Sequence, residues 1–568
     1  MKSKFFNDAI IGGNNITASY TNKGELLRVM YPAPDYRNWI EEFSTGVKIN
    51  DSNIVYLHKD INNKYNQYYT ENTNILNTEI LNTYFNFKIK QTDFVLTKEN
   101  VLVKKYEFEN KNNIELDVNF LIHTKLFSDM NNMVGSEIKE DCLIQYSHDY
   151  TMYTFANNNI DSYQLNDTKE NISTGVIKDK DYIGMSSDSS INFKIGKIKP
   201  KEKKELVVYI IFLKNEENNS DIIKKIEDIR KTDISKEEQH VEKYWKKYVK
   251  EHINNQVLKL ATSEFNRKFN KIYIRTILLF PLLINNETGG ISASVEIDEE
   301  MKECGRYNFC WTRDAVFITK ALDILNKQKE TEKFYKTFCK KTQSKNGMWE
   351  QRFYTDGRLA PCWGYQIDET ASVIFGLYEH YKVTKELKFL KDTYKMCEKA
   401  TKFLLRYLDN ILGIKDKSDF VKNEIEEAFK TQERNKLPVS YDLWEMNEGV
   451  HLYSLASIYA AFTAMKEIQE LLKPEYEQNN RLKVEAINKL EAQIIQYQEK
   501  IKKYILDNLY DENTKTFLRN LKDKNTDISQ LGIVYPFNMF SPKEKKVLNT
   551  ISKIELTLRT YTGRISKI

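Results

Sequence analysis

The sequence predicts two structural parts, an N-terminal antiparallel β-sandwich followed by a largely helical domain. Short segments that alternate apolar and polar side chains, separated by asparagine-rich turns, fill roughly the first 215 residues. From about residue 254 onward, apolar positions recur with the helical period. At 568 residues the chain also exceeds what one ordinary core supports. We therefore predict a sandwich over residues 1–218, a linker helix region over 219–253 and a helical domain over 254–568.

The sandwich prediction depends on segments with strand-like alternation, at residues 102–108, 114–122, 143–146 and 206–213. Their regular spacing and intervening turns, such as residues 110–113, are typical of antiparallel sheets packed face to face. No catalytic signature stands out in this part. Residues 220–253 are helical in pattern and very charged, so we interpret them as a solvated spacer between domains.

The helical prediction covers residues 256–283, 312–325, 330–342, 369–381, 386–410, 450–472, 482–508, 528–535 and 542–558. The last helix has a start signal: Ser541 can cap it, Pro542 suits its first position and Glu544 completes a capping box. Antiparallel helical pairs joined by long loops predict a helical toroid, whose loops gather at one end and form a cleft.

Composition excludes several classes of function. The 86 basic and 81 acidic residues leave a formal charge of +5, without the clustered basic face that nucleic acid requires. No window holds 18 apolar residues, and the apolar run near the N-terminus is too short for a signal peptide. We therefore expect a cytoplasmic protein that does not engage membranes.

The cysteines predict neither a zinc site nor a disulfide framework, because none of the six forms a Cys-x-x-Cys pair and no histidine cluster accompanies them. No cofactor is predicted. Calcium binding stays open, since the chain has no acidic loop of the EF-hand type. The oligomeric state is also open.

Three junctions between loops and predicted helices carry the candidate chemistry. In the first, Trp311 offers an apolar face to a sugar ring, Arg313 supplies fixed donors and Asp314 is an acceptor. Adjacent donors and acceptors suit two vicinal hydroxyl groups. The alternative is a local ion pair at a helix start, and the residues alone do not decide between them.

The second junction is rich in aromatic side chains, with Trp349 and Trp363 as candidate cleft residues. Asp368 and Glu369 open the following predicted helix. From their spacing, we expect these two carboxylates to compensate the helix dipole.

The third junction contains Trp444 and Glu445, just before a long apolar helical pattern. An indole that shields a carboxyl group from water raises its pKa and keeps a proton on it near neutral pH. Glu445 is therefore the candidate general acid. His451 follows within the next turn, and a lone histidine in this position is more often structural than catalytic.

Residues 311–315, 363–369 and 442–449 together resemble the glucoamylase family, glycoside hydrolase family fifteen, in its bacterial form. The resemblance extends to the N-terminal segments 8–13 and 31–35, so it covers essentially the whole chain. It implies that the helical domain is an (α/α)6 barrel. It also implies inverting exo-hydrolysis that releases glucose from the non-reducing ends of starch, glycogen or maltodextrin.

The resemblance also implies roles for individual residues. Glu445 is expected to protonate the glycosidic oxygen, and Arg313 with Asp314 to hold the terminal glucose of an α-glucan or maltooligosaccharide. The expected aromatic contacts to substrate are Trp311, Trp349, Trp363 and Trp444.

The chain departs from the family pattern in two places. The family's general base lies in a His-Ala-Glu-like context near the C-terminus, and no such motif follows His451 here. We therefore expect an incomplete barrel lacking its last helices, no general base in this chain and impaired hydrolysis. Met446 stands where many members carry a glutamate that binds the next sugar, which leaves the linkage preference open.

Four alternatives remain at this point. Trehalase and glucodextranase share the family framework. A glycoside phosphorylase built from a sandwich and a barrel needs only one acid, because phosphate replaces the activated water. A non-catalytic glucan-binding remnant would keep the sugar site without the reaction.

Overall fold

The computed structural model describes residues 7–128, 133–147, 150–168, 172–215, 219–258, 263–298, 305–412, 440–477, 480–521 and 523–560. The chain divides into two compact units, one of Met1–Asn286 with Ser294–Asn308 and one of Glu287–Ala293 with Phe309–Ile568. The first unit holds the large sheets and the second is mainly helical. The predicted order, a sheet-rich domain followed by a helical domain, is confirmed.

The first unit begins with strands β1 to β16, which are Ala9–Gly13, Ile16–Tyr20, Leu26–Met30, Ile40–Ile49, Val55–Tyr56, Asn63–Tyr69, Leu76–Asn82, Phe87–Val95, Val101–Asn110, Leu116–Leu126, Val134–Lys139, Cys142–Ser147, Tyr150–Ala156, Ser162–Leu165, Ser189–Ile198 and Lys203–Lys214. All strand pairings are antiparallel among the described residues. The strands form a sheet of order β1-β2-β3, one of order β14-β15-β10-β4-β5 and one of order β11-β12-β13-β16-β9-β8-β7-β6.

The core of this unit lies between the five-stranded and eight-stranded sheets. Every second residue of β9 faces it, as the period of a strand requires. The rings of Tyr106 and Phe108 on β9 meet Phe120 on β10, with centroids 4.6 and 5.6 Å apart. Lys104, on the same face of β9, is fully buried and its Nζ lies 2.6 Å from an oxygen of Asp93. Aromatic packing thus joins the two sheets, while the Lys104–Asp93 pair lies within the eight-stranded sheet, between β9 and β8.

Four helices complete the first unit: α1 (Asn219–Arg230), α2 (Ile234–His252), α3 (Asn255–Leu258) and α4 (Ser263–Leu283). The single predicted helix over 256–283 corresponds to α3 and α4, while residues 259–262 lie outside the described residues. Asn74 donates its amide to the Leu278 carbonyl at 3.1 Å, and Arg275 donates to the Thr73 carbonyl at 2.8 Å. These bonds hold α4 against the strands of the first unit. The first unit therefore extends past residue 253, after which the sequence predicts the helical domain to begin.

The second unit contains α5 (Thr312–Ile324), α6 (Gln328–Lys333), a π-helical turn (Phe334–Cys339), α7 (Lys340–Thr342), α8 (Ile367–Thr384), α9 (Leu387–Ile411), α10 (Leu452–Glu477), α11 (Arg481–Asn508), a 3₁₀ helix (Ile528–Ile533) and α12 (Lys545–Leu558). Two short hairpins join them, β17–β18 (Ser440–Tyr441 with Glu448–Gly449) and β19–β20 (Tyr510–Asp511 with Thr516–Phe517). Helix α8 packs against α5, α9 and α10.

The last helix begins later than predicted. It starts at Lys545, three residues after Pro542, and its N-cap is Glu544. One half of the predicted capping box is present, since the Ser541 backbone N–H donates to Oε1 of Glu544 at 2.9 Å. A complete capping box lies instead at Asp527 and Gln530, before the 3₁₀ helix.

Two further predictions concern cysteines and membranes. The described cysteines carry free thiols, and these are Cys142, Cys310, Cys339, Cys362 and Cys397, while Cys304 lies outside the described residues. Within the part of the chain that the structure describes, no helix combines the length and apolar character needed to cross a bilayer.

Candidate active site

Glu445 lies at the tip of the β17–β18 hairpin and not at the mouth of a helix, because α10 begins seven residues later at Leu452. The Asp442 carboxylate closes this tip by accepting from the backbone N–H groups of Met446 at 2.9 Å and Asn447 at 3.3 Å. The backbone N–H of Glu445 donates to the Asp442 carbonyl at 3.0 Å. Glu445 has φ of +62°, a left-handed conformation that costs energy for a residue with a Cβ and persists only where its surroundings hold it.

The indole that contacts Glu445 is Trp311. Its Nε1 donates to Oε1 of Glu445 at 2.6 Å, although 134 residues separate the two. Trp444, predicted to shield Glu445, instead donates its Nε1 to both carboxylate oxygens of Asp527 at 3.0 Å. Both residues lie in the turn between β17 and β18, and their side chains bind partners in different segments, Glu445 at Trp311 and Trp444 at Asp527. The predicted indole–carboxyl contact is therefore present with a different tryptophan.

Arg313 is the centre of a buried ionic cluster at the starts of α5 and α8. Its Nη2 donates to Oδ2 of Asp314 at 3.1 Å, and its Nη1 lies 3.0 Å from Oδ2 of Asp368 and 2.9 Å from Oε1 of Glu369. The local ion pair with Asp314 is thus present, and it belongs to a larger network. The side chain of Asp314 is 43% exposed, so its carboxylate can also accept from a ligand.

Asp368 and Glu369 do more than compensate the dipole of α8. Both are completely buried against Arg313. Oε2 of Glu369 also accepts from the backbone N–H of Arg313 at 2.7 Å and from the Thr312 hydroxyl at 2.8 Å. These two carboxyl groups therefore tie the start of α8 to the start of α5, where the predicted sugar-binding pair lies.

The cluster carries more carboxyl groups than Arg313 can neutralise. Burial raises the pKa of Glu369 to about 8, the guanidinium of Arg313 opposes this shift and the Asp368 carboxylate adds to it. Burial lowers the pKa of Arg313, but attraction to the carboxyl groups of Glu369, Asp314 and Asp368 outweighs burial and keeps that pKa well above the ordinary value. At neutral pH the arginine is therefore charged, and burial favours the protonated form of Glu369.

Comparison with known proteins identifies the family of this chain. The family model described as glycosyl hydrolases family 15 matches residues 267–566, more than half of the chain. The chain belongs to glycosyl hydrolase family 15. The match spans the sites at Arg313, Asp368 and Glu445, and it establishes the protein as a glycoside hydrolase by family.

Relatives of this family 15 protein cover nearly its full length. An uncharacterized glycosyl hydrolase of Methanocaldococcus jannaschii is 24% identical over 98% of this chain and 83% of its own. A bacterial glucoamylase solved in complex with acarbose has a TM-score of 0.71 and 17% identity, over 98% of this chain and 80% of that one. The predicted glucoamylase fold, a sandwich followed by an (α/α)6-type helical domain, is confirmed by this likeness.

A second solved structure is also similar to the family 15 chain. It is named "Putative kojibiose phosphorylase from human microbiome", with a TM-score of 0.56 and 12% identity over 90% of this chain and 69% of that one. At such identities both likenesses concern the fold alone.

The tryptophans predicted to line the family 15 site have different environments. Trp363 is 49% exposed, and the guanidinium of Arg352 stacks 4.2 Å from its ring centroid and 5.4 Å from that of Trp311. The ring of Trp311 is only 5% exposed and packs against Phe309 and Ala360, so it offers Glu445 its N–H and leaves little face for a sugar. Trp363 is thus an exposed aromatic side chain that is linked to Trp311 through Arg352.

Trp349 has no free face. It is 1% exposed and its Nε1 donates to the Cys339 carbonyl at 3.0 Å, inside the helical core. Trp349 therefore has no exposed ring face for the predicted contact with substrate. The sequence indicates only that the segment is aromatic, and aromatic side chains fill cores more often than clefts.

His451 has the structural role that the sequence favoured. It is buried, and its Nε2 donates to the Ser440 carbonyl at 2.9 Å, closing the base of the β17–β18 hairpin. Burial lowers its pKa below the ordinary value, so the ring is neutral near pH 7. Among the described residues, no group of three or more His, Cys, Asp or Glu side chains has the arrangement of a metal site.

Proposed function

We propose that the protein is a glucoamylase-type glycosidase in which Glu445 is the general acid. Its substrate is an α-glucan or maltooligosaccharide, bound by its terminal glucose. The observation that carries this proposal is the 2.6 Å bond from Trp311 to Glu445. Trp311 directly precedes the helix that begins with Thr312, Arg313 and Asp314, so this bond joins the acid to the predicted sugar-binding pair.

The proposed reaction uses each of these groups once. Glu445 gives its proton to the glycosidic oxygen as the bond from that oxygen to the anomeric carbon breaks. The Trp311 N–H then stabilises the carboxylate that forms on Glu445. The exposed carboxylate of Asp314 accepts from a sugar hydroxyl, and Arg313 fixes its orientation. Trp363 supports the sugar next to the cleaved bond.

Inversion also requires a carboxylate that activates water on the opposite face of the sugar, about 6.5–9.5 Å from the acid. We assign this role to none of the three glutamates after Glu499, because Glu512 and Glu555 are exposed and Glu544 caps α12. Acid assistance alone would leave hydrolysis weak. We therefore propose slow release of glucose, below about 1 s⁻¹.

Azide provides a direct test, because it is a nucleophile that needs no general base. It forms the new bond to the anomeric carbon while the glycosidic bond breaks and Glu445 protonates the leaving oxygen. The products from maltotriose are β-glucosyl azide and maltose, and we expect azide to accelerate consumption of maltotriose. Glu445→Gln should lower the rate of this reaction by about 10²–10⁴-fold. Equal product with the Glu445→Gln protein would exclude Glu445 as the acid. Rapid glucose release without azide would show that a residue to which we assign no such role activates water.

The linkage preference is a separate part of the proposal. Met446 is exposed next to Glu445, so the next sugar meets a thioether instead of a second carboxylate. Comparing maltotriose with trehalose and isomaltotriose in the same azide assay distinguishes a glucoamylase from a trehalase or glucodextranase. We expect maltotriose to react fastest.

Phosphorolysis is a second candidate, favoured by the TM-score of 0.56 to the protein named as a kojibiose phosphorylase. Phosphate would then take the place of water, and the product would be glucose 1-phosphate. Appearance of this sugar phosphate only when inorganic phosphate is present would select this candidate. Stabilisation by maltose with no product under any of these conditions would instead indicate a glucan-binding remnant.

A further inference from the structure

Asp527 lies in the second unit just before the 3₁₀ helix, and it is completely buried. Both of its carboxylate oxygens lie 3.0 Å from Nε1 of Trp444. The backbone N–H of Ser529 donates to Oδ1 at 2.7 Å, and Nη1 of Arg519 donates to Oδ2 at 3.3 Å. A buried carboxylate that accepts from several donors has little freedom to move. The Trp444 indole that donates to Asp527 is therefore held in place as well.

Trp444 connects Asp527 to the proposed general acid, Glu445. It directly precedes Glu445, whose left-handed backbone requires support from its surroundings. Asp442 supports the hairpin tip from within, through bonds to the backbone of Met446 and Asn447. Asp527 supports the same tip from a segment 83 residues from Trp444 in the chain.

We propose that Asp527 is a positioning residue for Glu445, acting through the Trp444 indole that it binds. The inference rests on the proposed function in one respect, that Glu445 is the group to be positioned. A displacement of about 1 Å at a reacting group can cost on the order of 100-fold in rate. In this role Asp527 itself does not contact the substrate.

Asp527→Asn is the informative variant, because asparagine caps helices as well as aspartate does. Asparagine keeps one acceptor oxygen and replaces the other with an NH₂ donor. Trp444 can then no longer donate to two oxygens, while the 3₁₀ helix stays capped. Asp523→Asn is the matched control. Asp523 also pairs with Arg519, but Trp444 binds Asp527 and not Asp523.

The test is a ¹H–¹⁵N spectrum of the full chain labelled at its six tryptophans. Trp444→Phe and Trp311→Phe assign two of the indole N–H signals. The Trp311 signal reports on Glu445, since its N–H donates to that carboxyl group. Asp527→Asn should shift both the Trp444 and the Trp311 signals, whereas Asp523→Asn should shift neither. A Trp311 signal that stays in place while the Trp444 signal moves would overturn the proposal.

A kinetic double-mutant cycle in the azide assay provides the second measurement. Asp527→Asn should lower kcat about 10- to 100-fold with little change in KM. In a Trp444→Phe background it should have no further effect, because its connection to Glu445 is already cut. Additive losses would contradict action through Trp444. The indole spectra need no turnover, so an inactive wild-type protein would count against the proposed function while the Trp311 signal still decides the role of Asp527.

Discussion

Replacing Glu369 by glutamine tests whether the carboxyl group beneath Arg313 carries a proton in the folded protein. Glutamine has the shape of a protonated glutamate and does not titrate. Burial raises the pKa of Glu369 from 4.5 to about 8 despite the guanidinium 2.9 Å away. A group with a raised pKa in the folded state contributes stability that is fully present below its ordinary pKa. That contribution is lost as the pH rises toward the folded value.

The size of the effect follows from the interval between the ordinary pKa of Glu369 and its pKa in the folded protein. Each pH unit between the two pKa values changes the free energy of unfolding by about 1.4 kcal/mol. Between pH 5 and pH 7.5, wild type should therefore lose about 3 kcal/mol relative to Glu369→Gln. At about 2–4 °C per kcal/mol for a unit of this size, the difference in Tm between the two proteins should change by roughly 10 °C. Glutamine should become the more favourable residue as the pH rises.

Scanning calorimetry at several pH values measures this difference, and Glu379→Gln is the matched control on the same helix. Burial would raise the pKa of Glu379, but its pairing with Lys382 and Lys320 outweighs burial and lowers it. The Tm difference for the Glu379→Gln variant should therefore be flat from pH 5 to 7.5. A flat difference for Glu369→Gln as well would refute the protonated state of Glu369.

Two further predictions concern the tryptophans. Trp311→Phe keeps the ring but removes the donor to Glu445, a bond to a charged group worth about 1.5–3 kcal/mol, so kcat on maltotriose with azide should fall roughly 10- to 100-fold. An unchanged kcat would show that this bond does not assist the acid. Trp363→Ala removes the exposed ring on Arg352 and should raise KM about 2- to 10-fold, whereas Trp349→Phe should lower Tm and leave KM unchanged. A larger KM effect at Trp349 than at Trp363 would contradict these assignments.

Local patterns were sufficient to predict the long helices and four of the sixteen strands in the first unit. The alternation at 206–213 corresponds to strand Lys203–Lys214, and the helical pattern at 482–508 to helix Arg481–Asn508. Both signals arise from side chains a few residues apart, which the sequence displays directly. The last helix was misplaced at its start, because Ser541, Pro542 and Glu544 form a turn before it and Glu544 itself becomes the cap.

The site was only partly predictable, because its decisive contacts join distant positions. The bond from Trp311 to Glu445 spans 134 residues, that from Trp444 to Asp527 spans 83, and no local pattern pairs either. Adjacency in sequence favoured Trp444 as the partner of Glu445, whereas the hairpin directs the two side chains apart. The capping box at Asp527 was visible as an aspartate followed three residues later by Gln530. This pattern indicates where a helix starts, but it does not indicate that Asp527 binds the Trp444 indole.

Comparing the effect of Glu445→Gln on two substrates tests the role of Glu445 most directly. Maltotriose has a leaving oxygen that needs a proton, whereas the fluoride of α-glucosyl fluoride leaves without one. With azide as the nucleophile, we predict that Glu445→Gln lowers the rate on maltotriose by about 10²–10⁴-fold and the rate on α-glucosyl fluoride only a few-fold. Equal losses on the two substrates would show that Glu445 does not supply the proton, and the proposed mechanism would then be wrong.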